Sequence, residues 1–134
     1  MSKRILVIDD EEAVRKSFAL ALEDLPYQVD CAENGKIGIE KFQQSEYDLV
    51  FLDLKMPEMN GVDTLCAIRE RNQDIPVYIV TAFHKEFFQD LVEVRSKKVD
   101  FNLLMKPLGR KQIIAVTRGI LEGAEVLEEE ESNV

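Results

Sequence analysis

The stretch Ile5-Leu6-Val7-Ile8-Asp9-Asp10 decides the fold, because a short apolar run stops abruptly at two carboxylates. Three other runs end at polar side chains in the same way: Leu49–Leu52 at Asp53, Val77–Val80 at Thr81, and Leu103–Met105 at Lys106-Pro107. Short runs of this composition are typical of strands buried on both faces of a parallel sheet. The carboxyl ends of such strands meet at one edge, where ligands bind. We therefore expect the carboxylates, the hydroxyl and the ammonium to lie close together.

Composition limits the classes of protein. The chain has 134 residues, of which 46% are hydrophobic and 32% charged, as in a single globular domain with a full core. Its formal net charge of −9 argues against nucleic-acid binding by this domain, because phosphate contacts need clustered Lys and Arg side chains. The apolar runs are much shorter than the roughly 20 residues that cross a bilayer, so no membrane contact is predicted.

The compartment is predicted from the amino terminus and the cysteines. The first strand begins directly after Met1-Ser2, which leaves no room for a signal peptide. Cys31 falls in a strand-like run and Cys66 in a helix-like run, so both are predicted to be small buried thiols. A reducing, cytoplasmic location is expected.

Strand-like and helix-like segments alternate five times along the chain. Besides the four runs above, Tyr27–Ala32 is predicted to be a strand, and helices are predicted over about 11–25, 35–45, 64–71 and 84–97 and from 110 onward. This pattern predicts an α/β fold, a doubly wound (βα)5 three-layer sandwich with right-handed crossovers. The expected order of its parallel five-stranded sheet is 2-1-3-4-5.

Two helices carry apolar residues whose packing is predicted from their spacing. In the fourth helix, Phe88, Leu91, Val92 and Arg95 are spaced to share one face. The last helix has two apolar stripes, one with Ile113, Val116, Ile120 and Leu127 and the other with Ile114, Leu121 and Ala124. One stripe is needed to pack on the sheet. The second is either further core, which we favour, or an interaction face or the start of a helical linker.

In the predicted sheet, Asp9, Asp10 and Asp53 face one another across the crevice between strands one and three. Three carboxylates in one pocket repel one another unless a cation neutralises them. Oxygen ligands with room for water suit Mg²⁺ better than zinc or copper. An aspartate after a strand also commonly caps a helix, and for Asp10 alone this reading is equally good. Three converging carboxylates favour a Mg²⁺ site.

These residues together resemble the receiver domain of the response regulators of bacterial two-component systems. The resemblance spans Lys3 to about Leu121 and rests on a set of motifs in the family's order and spacing: Asp9-Asp10, Asp53-x-x-x-Pro57 followed by Gly61, Thr81-Ala82, and Lys106-Pro107. Each motif alone is weak, but the complete set is highly specific. The resemblance implies a flavodoxin-like fold and a phosphorylation-dependent signalling switch.

The resemblance also implies a role for each residue of the pocket. Asp53 accepts a phosphoryl group from a sensor histidine kinase or a histidine phosphotransfer protein. Mg²⁺ is held by Asp9, Asp10, Asp53 and the backbone carbonyl of Lys55. The phosphoryl oxygens are bound by Lys106 and Thr81, with Ala82 leaving an entry path. The Lys106-Pro107 peptide bond is expected to be cis. The protein is predicted not to be an enzyme beyond catalysing its own phosphorylation and dephosphorylation.

Two departures from the family concern the output of the signal. Phosphorylation draws the threonine inward in the family, and an aromatic side chain on strand five follows, but the matching residue here is Leu103. The segment Lys97-Lys98-Val99-Asp100 also lacks the family's usual small-Gly-small turn. We expect Thr81 and Leu103 to form the switch, with an altered relay. The expected partners bind the face of the fourth helix, fifth strand and fifth helix, and are a downstream effector or, in a homodimer, a second copy.

Residues beside the pocket are expected to set the lifetime of the phosphoryl group. Lys55 and Phe83 occupy the family positions that flank the attacking water, and both could equally be rim residues. Phe83 offers no hydrogen bond to a water, so slow self-dephosphorylation is predicted, with faster decay in Phe83→Glu or Phe83→Asn. His84 is assigned no role.

The carboxyl-terminal region is predicted to lie outside the domain. We expect a receiver domain over residues 1–122 and an acidic extension over 123–134 that frays or is disordered, because the run Glu128–Glu131 opposes the helix dipole. The chain is expected to be a stand-alone regulator or one piece of a longer protein.

Two other functions remain open at the level of sequence. A phosphoaspartyl hydrolase of the haloacid dehalogenase type also uses aspartates, Thr and Lys with Mg²⁺, but needs Asp-x-Asp where this chain has Asp9-Asp10-Glu11. A receiver-like interaction module that is never phosphorylated is the second alternative, although the complete set of pocket residues argues against it.

Overall fold

The computed structural model describes residues 2–82 and 85–123 of the protein, and these form an α/β sandwich. Its elements are β1 (Lys3–Ile8), α1 (Glu12–Leu22), β2 (Tyr27–Ala32), α2 (Gly35–Gln44), β3 (Leu49–Leu52), α3 (Gly61–Arg71), β4 (Val77–Thr81), a 3₁₀ turn (Lys85–Phe87), α4 (Phe88–Ser96), β5 (Asn102–Met105) and α5 (Arg110–Leu121). The five strands pair in parallel in the order β2-β1-β3-β4-β5. This confirms the fold and the strand order predicted from the sequence.

The central strands are buried on both faces. Each residue of Ile5–Ile8 in β1 and of Leu49–Leu52 in β3 is at most 1% exposed. Side chains alternate along them, so that Leu6 and Ile8 join the core on one face of the sheet while Ile5 and Val7 join the core on the other. Ile8 pairs with Leu52 at the ends of the two strands. The residues that follow these strands therefore emerge side by side at one edge of the sheet.

Strand β5 differs from the prediction. Leu103 is 47% exposed and Met105 is 45% exposed. Burial on both faces was therefore wrong for this strand, because β5 is the edge of the sheet and, within residues 2–82 and 85–123, pairs with β4 alone.

In the fourth helix, the residues predicted at helical spacing do not all lie on the buried face. Phe88 is 59% exposed and Val92 is 48% exposed. The residues that reach the core are Phe87, Leu91 and Val94, at positions i, i+4 and i+7. The 3₁₀ turn before α4 delays the start of the helix by about four residues, and this changes which positions face inward.

Both apolar stripes of the last helix pack on the core. Ile113, Val116 and Ile120 from the first stripe and Ile114 and Leu121 from the second belong to the same apolar cluster. Further core is therefore the correct reading of the second stripe. The predicted positions Ala124 and Leu127 and the acidic run 128–131 lie outside the described residues.

The two cysteines are only partly buried. Cys31 and Cys66 are both free thiols of intermediate exposure, so they are less buried than predicted. Cys31 contributes to the core on one side of the sheet and Cys66 to the core on the other, each from its margin.

Among the helices of the described residues, each is too short or too polar to cross a membrane.

Candidate functional site

The site lies where β1 and β3 end. The Asp9 amide donates to the carbonyl of Ala32 at 3.1 Å, and the Asp53 amide donates to the carbonyl of Ile8 at 2.9 Å. Both bonds continue the sheet ladder by one residue, so the backbone fixes where each carboxylate begins. Asp9 is 2% exposed and Asp53 is 4% exposed. Two acidic side chains are thus held inside the protein at the carboxyl edge of the sheet.

Four carboxylates converge at this edge. Each of Asp9, Asp10, Glu11 and Asp53 offers one oxygen, and these oxygens all lie within 4.8 Å of one another. The sequence predicted three of the four. Glu11 was predicted to be the first residue of a helix over about 11–25, but its backbone is still extended at φ −87° and ψ 117°, before α1 begins. The position of Glu11 between the end of β1 and the start of α1 is the sequence feature that could have indicated this fourth carboxylate.

Lys106 reaches this cluster from the end of β5. Its Nζ atom lies 3.0 Å from Asp9 Oδ2, 3.4 Å from Glu11 Oε1 and 3.5 Å from Asp53 Oδ1. The side chain is only 15% exposed, so Lys106 is not an ordinary solvated lysine. Its amide donates to the carbonyl of Thr81 at 2.9 Å, which extends the pairing of β4 with β5. The Lys106-Pro107 peptide bond is cis, as expected.

Burial and mutual repulsion change the acidity of these groups. Burial, together with the charges of Asp9 and Asp10, raises the pKa of Asp53 to about 7, although Lys106 and a hydrogen bond from the Leu54 amide oppose the shift. Burial likewise raises the pKa of Asp9, against the hydrogen bonds from the Glu11 amide and Lys106. Burial alone would lower the pKa of Lys106, but its carboxylate partners raise it. The ammonium therefore stays charged, while the carboxylates of Asp53 and Asp9 resist ionisation.

Thr81 and Ala82 lie at the end of β4. Thr81 is 3% exposed, and its hydroxyl donates to the carbonyl of Ala82 at 2.7 Å. Ala82 is exposed. The backbone hydrogen bond between Lys106 and Thr81 holds these two residues side by side. The structure therefore brings Thr81 and Ala82 to the same edge of the sheet as the carboxylates.

The other predicted residues lie farther out or beyond the description. Lys55 is exposed, and its Nζ atom lies 3.6 Å from Glu86 Oε1. Leu103 pairs with Ile79 on the sheet edge and is outside the core clusters of the described residues. Phe83, predicted to tune the phosphoryl lifetime, lies outside the described residues.

Gly61 allows the loop after Asp53 to close tightly. Its amide donates to the carbonyl of Leu54 at 2.7 Å. A Cβ atom on Gly61 would lie 2.2 Å from the Asp53 carbonyl oxygen and 2.7 Å from Leu54 Cα, and both are backbone atoms. Only glycine therefore lets the start of α3 approach the backbone that carries the Asp53 carboxylate. This is a physical reason for Gly61 in the motif.

Comparison with known proteins gives a consistent result. The family model of the response regulator receiver domain matches residues 5–118. Response regulator ArlR of Staphylococcus saprophyticus is 35% identical over 118 residues, which cover 88% of this chain and 52% of ArlR. Transcriptional regulatory protein ResD of Bacillus subtilis is 32% identical over 121 residues, covering 90% of this chain and 49% of ResD. The chain thus spans about half the length of these relatives.

Solved structures show the same likeness. Response regulator TrrA of Thermotoga maritima superposes with a TM-score of 0.74 at 31% identity, covering 89% of this chain and 99% of TrrA. A receiver domain from Methanospirillum hungatei gives a TM-score of 0.78 at 25% identity and full coverage of both chains. These matches favour a receiver domain over the hydrolase. The carboxylate cluster at the carboxyl edge, the neighbouring lysine and threonine, and the matched family model agree, and the chain belongs to the response regulator receiver domain family.

Proposed function

We propose that the protein is a signalling switch whose Asp53 accepts a phosphoryl group from a phosphohistidine on a sensor histidine kinase or a histidine phosphotransfer protein. The observation that supports this most is the position of Asp53: a carboxylate 4% exposed at a strand end, 3.5 Å from the Lys106 ammonium and within 4.8 Å of three other carboxylates. Receiver domains are signalling proteins rather than enzymes of metabolic turnover. The only reactions we propose for this chain are its own phosphorylation and dephosphorylation.

In the proposed transfer, a carboxylate oxygen of Asp53 forms a bond to phosphorus as the phosphorus–nitrogen bond of the donor breaks. The imidazole nitrogen keeps the electron pair and takes up a proton, and Asp53 becomes an acyl phosphate. The Lys106 ammonium, already 3.5 Å from Asp53 Oδ1, is positioned to pair with an oxygen of the arriving group. It must then exchange a carboxylate partner for a phosphoryl oxygen.

The carboxylate cluster fits a magnesium ion. Carboxylate oxygens are the ligands that Mg²⁺ prefers, and the four here lie within 4.8 Å of one another. We propose that Asp9, Asp10 and Asp53 hold it, with the backbone carbonyl of Lys55. Mg²⁺ bound there would neutralise charge on the carboxylates and on the phosphoryl oxygens. TrrA, which resembles this chain, was solved in complex with Mg²⁺ and BeF.

Thr81 and Leu103 are the proposed switch. The Thr81 hydroxyl donates to the Ala82 carbonyl in this structure, so binding a phosphoryl oxygen requires that it turn away from that carbonyl. Ala82 carries only a methyl group and leaves the entry path free. Leu103 on β5 is 47% exposed and pairs with Ile79 of β4, the strand that ends at Thr81. A movement of Leu103 in response to Thr81 shifts the equilibrium between two conformations of the sheet edge.

The proposed outlet is the surface of α4, β5 and α5. Phe88 and Val92 on α4 and Leu103 and Met105 on β5 are all between 45% and 59% exposed. A downstream effector domain, or a second copy of the chain in a homodimer, would bind there. The relatives named above are a response regulator and a transcriptional regulator, each about twice as long as this chain.

The remaining proposals concern lifetime, extent and location. Lys55, paired with Glu86 at 3.6 Å, and Phe83 are proposed to limit access of water to the acyl phosphate. The receiver domain is proposed to end near residue 122, followed by the acidic extension. A cytoplasmic location accords with two free thiols, Cys31 and Cys66, and with a kinase as donor.

Phosphorylation with a small-molecule donor tests the function. The protein is incubated with acetyl phosphate and Mg²⁺, and its intact mass is measured. We expect one phosphoryl group per chain, none without Mg²⁺ and none in Asp53→Asn. No incorporation in the parent would contradict the proposal and favour the unphosphorylated interaction module.

A further inference from the structure

The Glu11 side chain lies at the pocket although the structural contacts of this residue are made by its backbone, whose amide donates to Asp9 Oδ1 and whose carbonyl accepts from the Arg15 amide. It precedes α1 but makes no side-chain capping hydrogen bond, and its side chain is 61% exposed. Its carboxylate nevertheless lies 3.4 Å from Lys106 Nζ and belongs to the group of four oxygens within 4.8 Å of one another. Asp9 and Asp53 in that group are buried. Glu11 therefore stands with Asp10 on the solvent side of the cluster, where a donor must enter, and of these two exposed carboxylates it is the one paired with Lys106.

The charge of Glu11 decides the net charge that a donor meets. When Mg²⁺ is bound and all four carboxylates are ionised, the ion and the Lys106 ammonium together neutralise three of them. One negative charge is left over, and Glu11 is its most exposed carrier among the residues that touch Lys106. Neutralising Glu11 would leave the pocket without net charge toward an incoming phosphoryl group.

We propose that Glu11 is a specificity-determining residue that slows phosphoryl transfer to Asp53 from free anionic donors. Its carboxylate repels such donors at the mouth of the pocket and competes for the Lys106 ammonium that they need. A protein donor gains binding energy from its contact with the domain surface and can offset this repulsion, whereas a free acyl phosphate has no such contact. The inference rests on the proposed function, because it concerns access to the same aspartate.

The expected effect follows from Coulomb's law. A unit charge about 6 Å away in a water-like medium changes a rate about threefold for each negative charge on the approaching donor. Acetyl phosphate is a dianion near neutral pH, whereas phosphoramidate carries one net negative charge. We therefore expect Glu11→Gln to speed transfer about tenfold from acetyl phosphate and about threefold from phosphoramidate. Salt should reduce both gains, since the charges are exposed.

The experiment compares Glu11→Gln with Glu12→Gln. Glu12 is the next residue, its side chain is 70% exposed, and it pairs with Lys16 at 3.1 Å rather than with Lys106. Initial rates of acyl phosphate formation are measured with both donors at saturating Mg²⁺ and at low and high salt. In one reaction acetate leaves with the electrons of the phosphorus–oxygen bond, and in the other ammonia leaves as the phosphorus–nitrogen bond breaks. Equilibrium binding of beryllofluoride, a monoanion, is measured separately.

The inference predicts that Glu11→Gln gains more with acetyl phosphate than with phosphoramidate, binds beryllofluoride about threefold more tightly, and loses both advantages at high salt. Glu12→Gln should match the parent. Equal rates in Glu11→Gln and the parent, or an equal, salt-independent gain with both donors, would overturn the role of Glu11 and leave the proposed function intact. A parent that takes up no phosphoryl group at Asp53 would overturn both.

Discussion

Asp53 is a buried acid that shares its surroundings with like charges. It is 4% exposed, it has Asp9, Asp10 and Glu11 within 4.8 Å, and its nearest cation is the ammonium of Lys106 at 3.5 Å. One ammonium does not neutralise four carboxylates, so the ionised pocket costs free energy whenever no further cation is bound. The same repulsion favours binding of a divalent cation. The repulsion around Asp53 therefore favours binding of the cation that the proposed reaction needs.

Replacing Asp53 by Asn should stabilise the metal-free protein near pH 7. Because the pKa of Asp53 rises from 3.8 to about 7 on folding, the folded state keeps its proton between these pH values while the unfolded state has lost it. The free energy of unfolding of the parent therefore falls as the pH rises from about 4 to 7. We expect Asp53→Asn to be more stable by about 4 kcal/mol at pH 7 and nearly equal at pH 4.

Urea unfolding of both proteins with a metal chelator at a series of pH values measures this difference. Asp24→Asn is the control, because Asp24 is a well-exposed acid paired with Arg110 at 3.9 Å. A gap between Asp53→Asn and the parent that is constant with pH would contradict the shifted pKa.

At the scale of elements, Arg69 joins three parts of the fold. It lies on α3, is 8% exposed, and donates to the carbonyls of Ile75 before β4 at 2.7 Å and of Asp100 before β5 at 2.8 and 2.9 Å. Burial lowers the pKa of its guanidinium. The Asp100 bonds hold the segment that lacks the family's small-Gly-small turn, where Lys98 adopts a left-handed φ of 66°. The hydrogen bonds from Arg69 thus stabilise the segment in which Lys98 adopts a backbone conformation that favours glycine.

Replacing Arg69 by Met should destabilise the protein by about 2–4 kcal/mol, because the buried carbonyl of Ile75 and the partly buried carbonyl of Asp100 lose a charged donor. The control is Arg71→Met on the same helix, where the side chain is exposed and the change should stay within about 0.5 kcal/mol. Urea unfolding measures both. Equal, small losses in the two variants would contradict the role of Arg69 as a link between α3 and the β5 segment.

The sequence predicted these elements to different extents, for physical reasons. The strand order was readable because Asp9 and Asp53 end fully apolar runs that admit only a covered parallel sheet. The inward face of α4 was not readable, because the 3₁₀ turn before the helix changes which positions face the core and leaves Phe88 exposed to solvent. Glu11 was missed since its place in the pocket depends on one extended residue before α1. The Thr81 hydroxyl likewise has a rotamer that no pattern of residues encodes.

At the scale of the whole molecule, the pocket lies at the carboxyl end of the sheet, and the exposed apolar residues Leu103 and Met105 lie on its β5 edge. β4 carries Thr81 at the pocket and pairs with β5, which carries Leu103 and Met105 on the surface. The apolar clusters on the two faces of the sheet hold β1 and β3 in place. We therefore expect a structural change at the pocket to propagate most easily toward β5. The proposed signal therefore leaves through the edge that is least buried.

Mg²⁺ should stabilise the whole domain. Binding to the folded state alone raises the free energy of unfolding by about 2.7 kcal/mol at a concentration one hundred times the dissociation constant. The gain should be full only above pH 7 and shrink as the pH falls toward 4, because protons then compete for Asp53 and Asp9. Thermal unfolding with MgCl₂, against NaCl of equal ionic strength, measures it. Asp10→Asn should weaken the gain, and an equal gain with NaCl would contradict a specific site.

The most direct test of the central claim is to locate the phosphoryl group by chemical reduction. Borohydride converts an aspartyl phosphate to homoserine, which changes the mass of the peptide that carries it. After incubation with Mg²⁺ and acetyl phosphate, the account predicts homoserine at position 53 and unchanged aspartate at Asp9 and Asp10. Homoserine at another aspartate, or none in a protein that binds Mg²⁺, would contradict the assignment of Asp53 as phosphoacceptor.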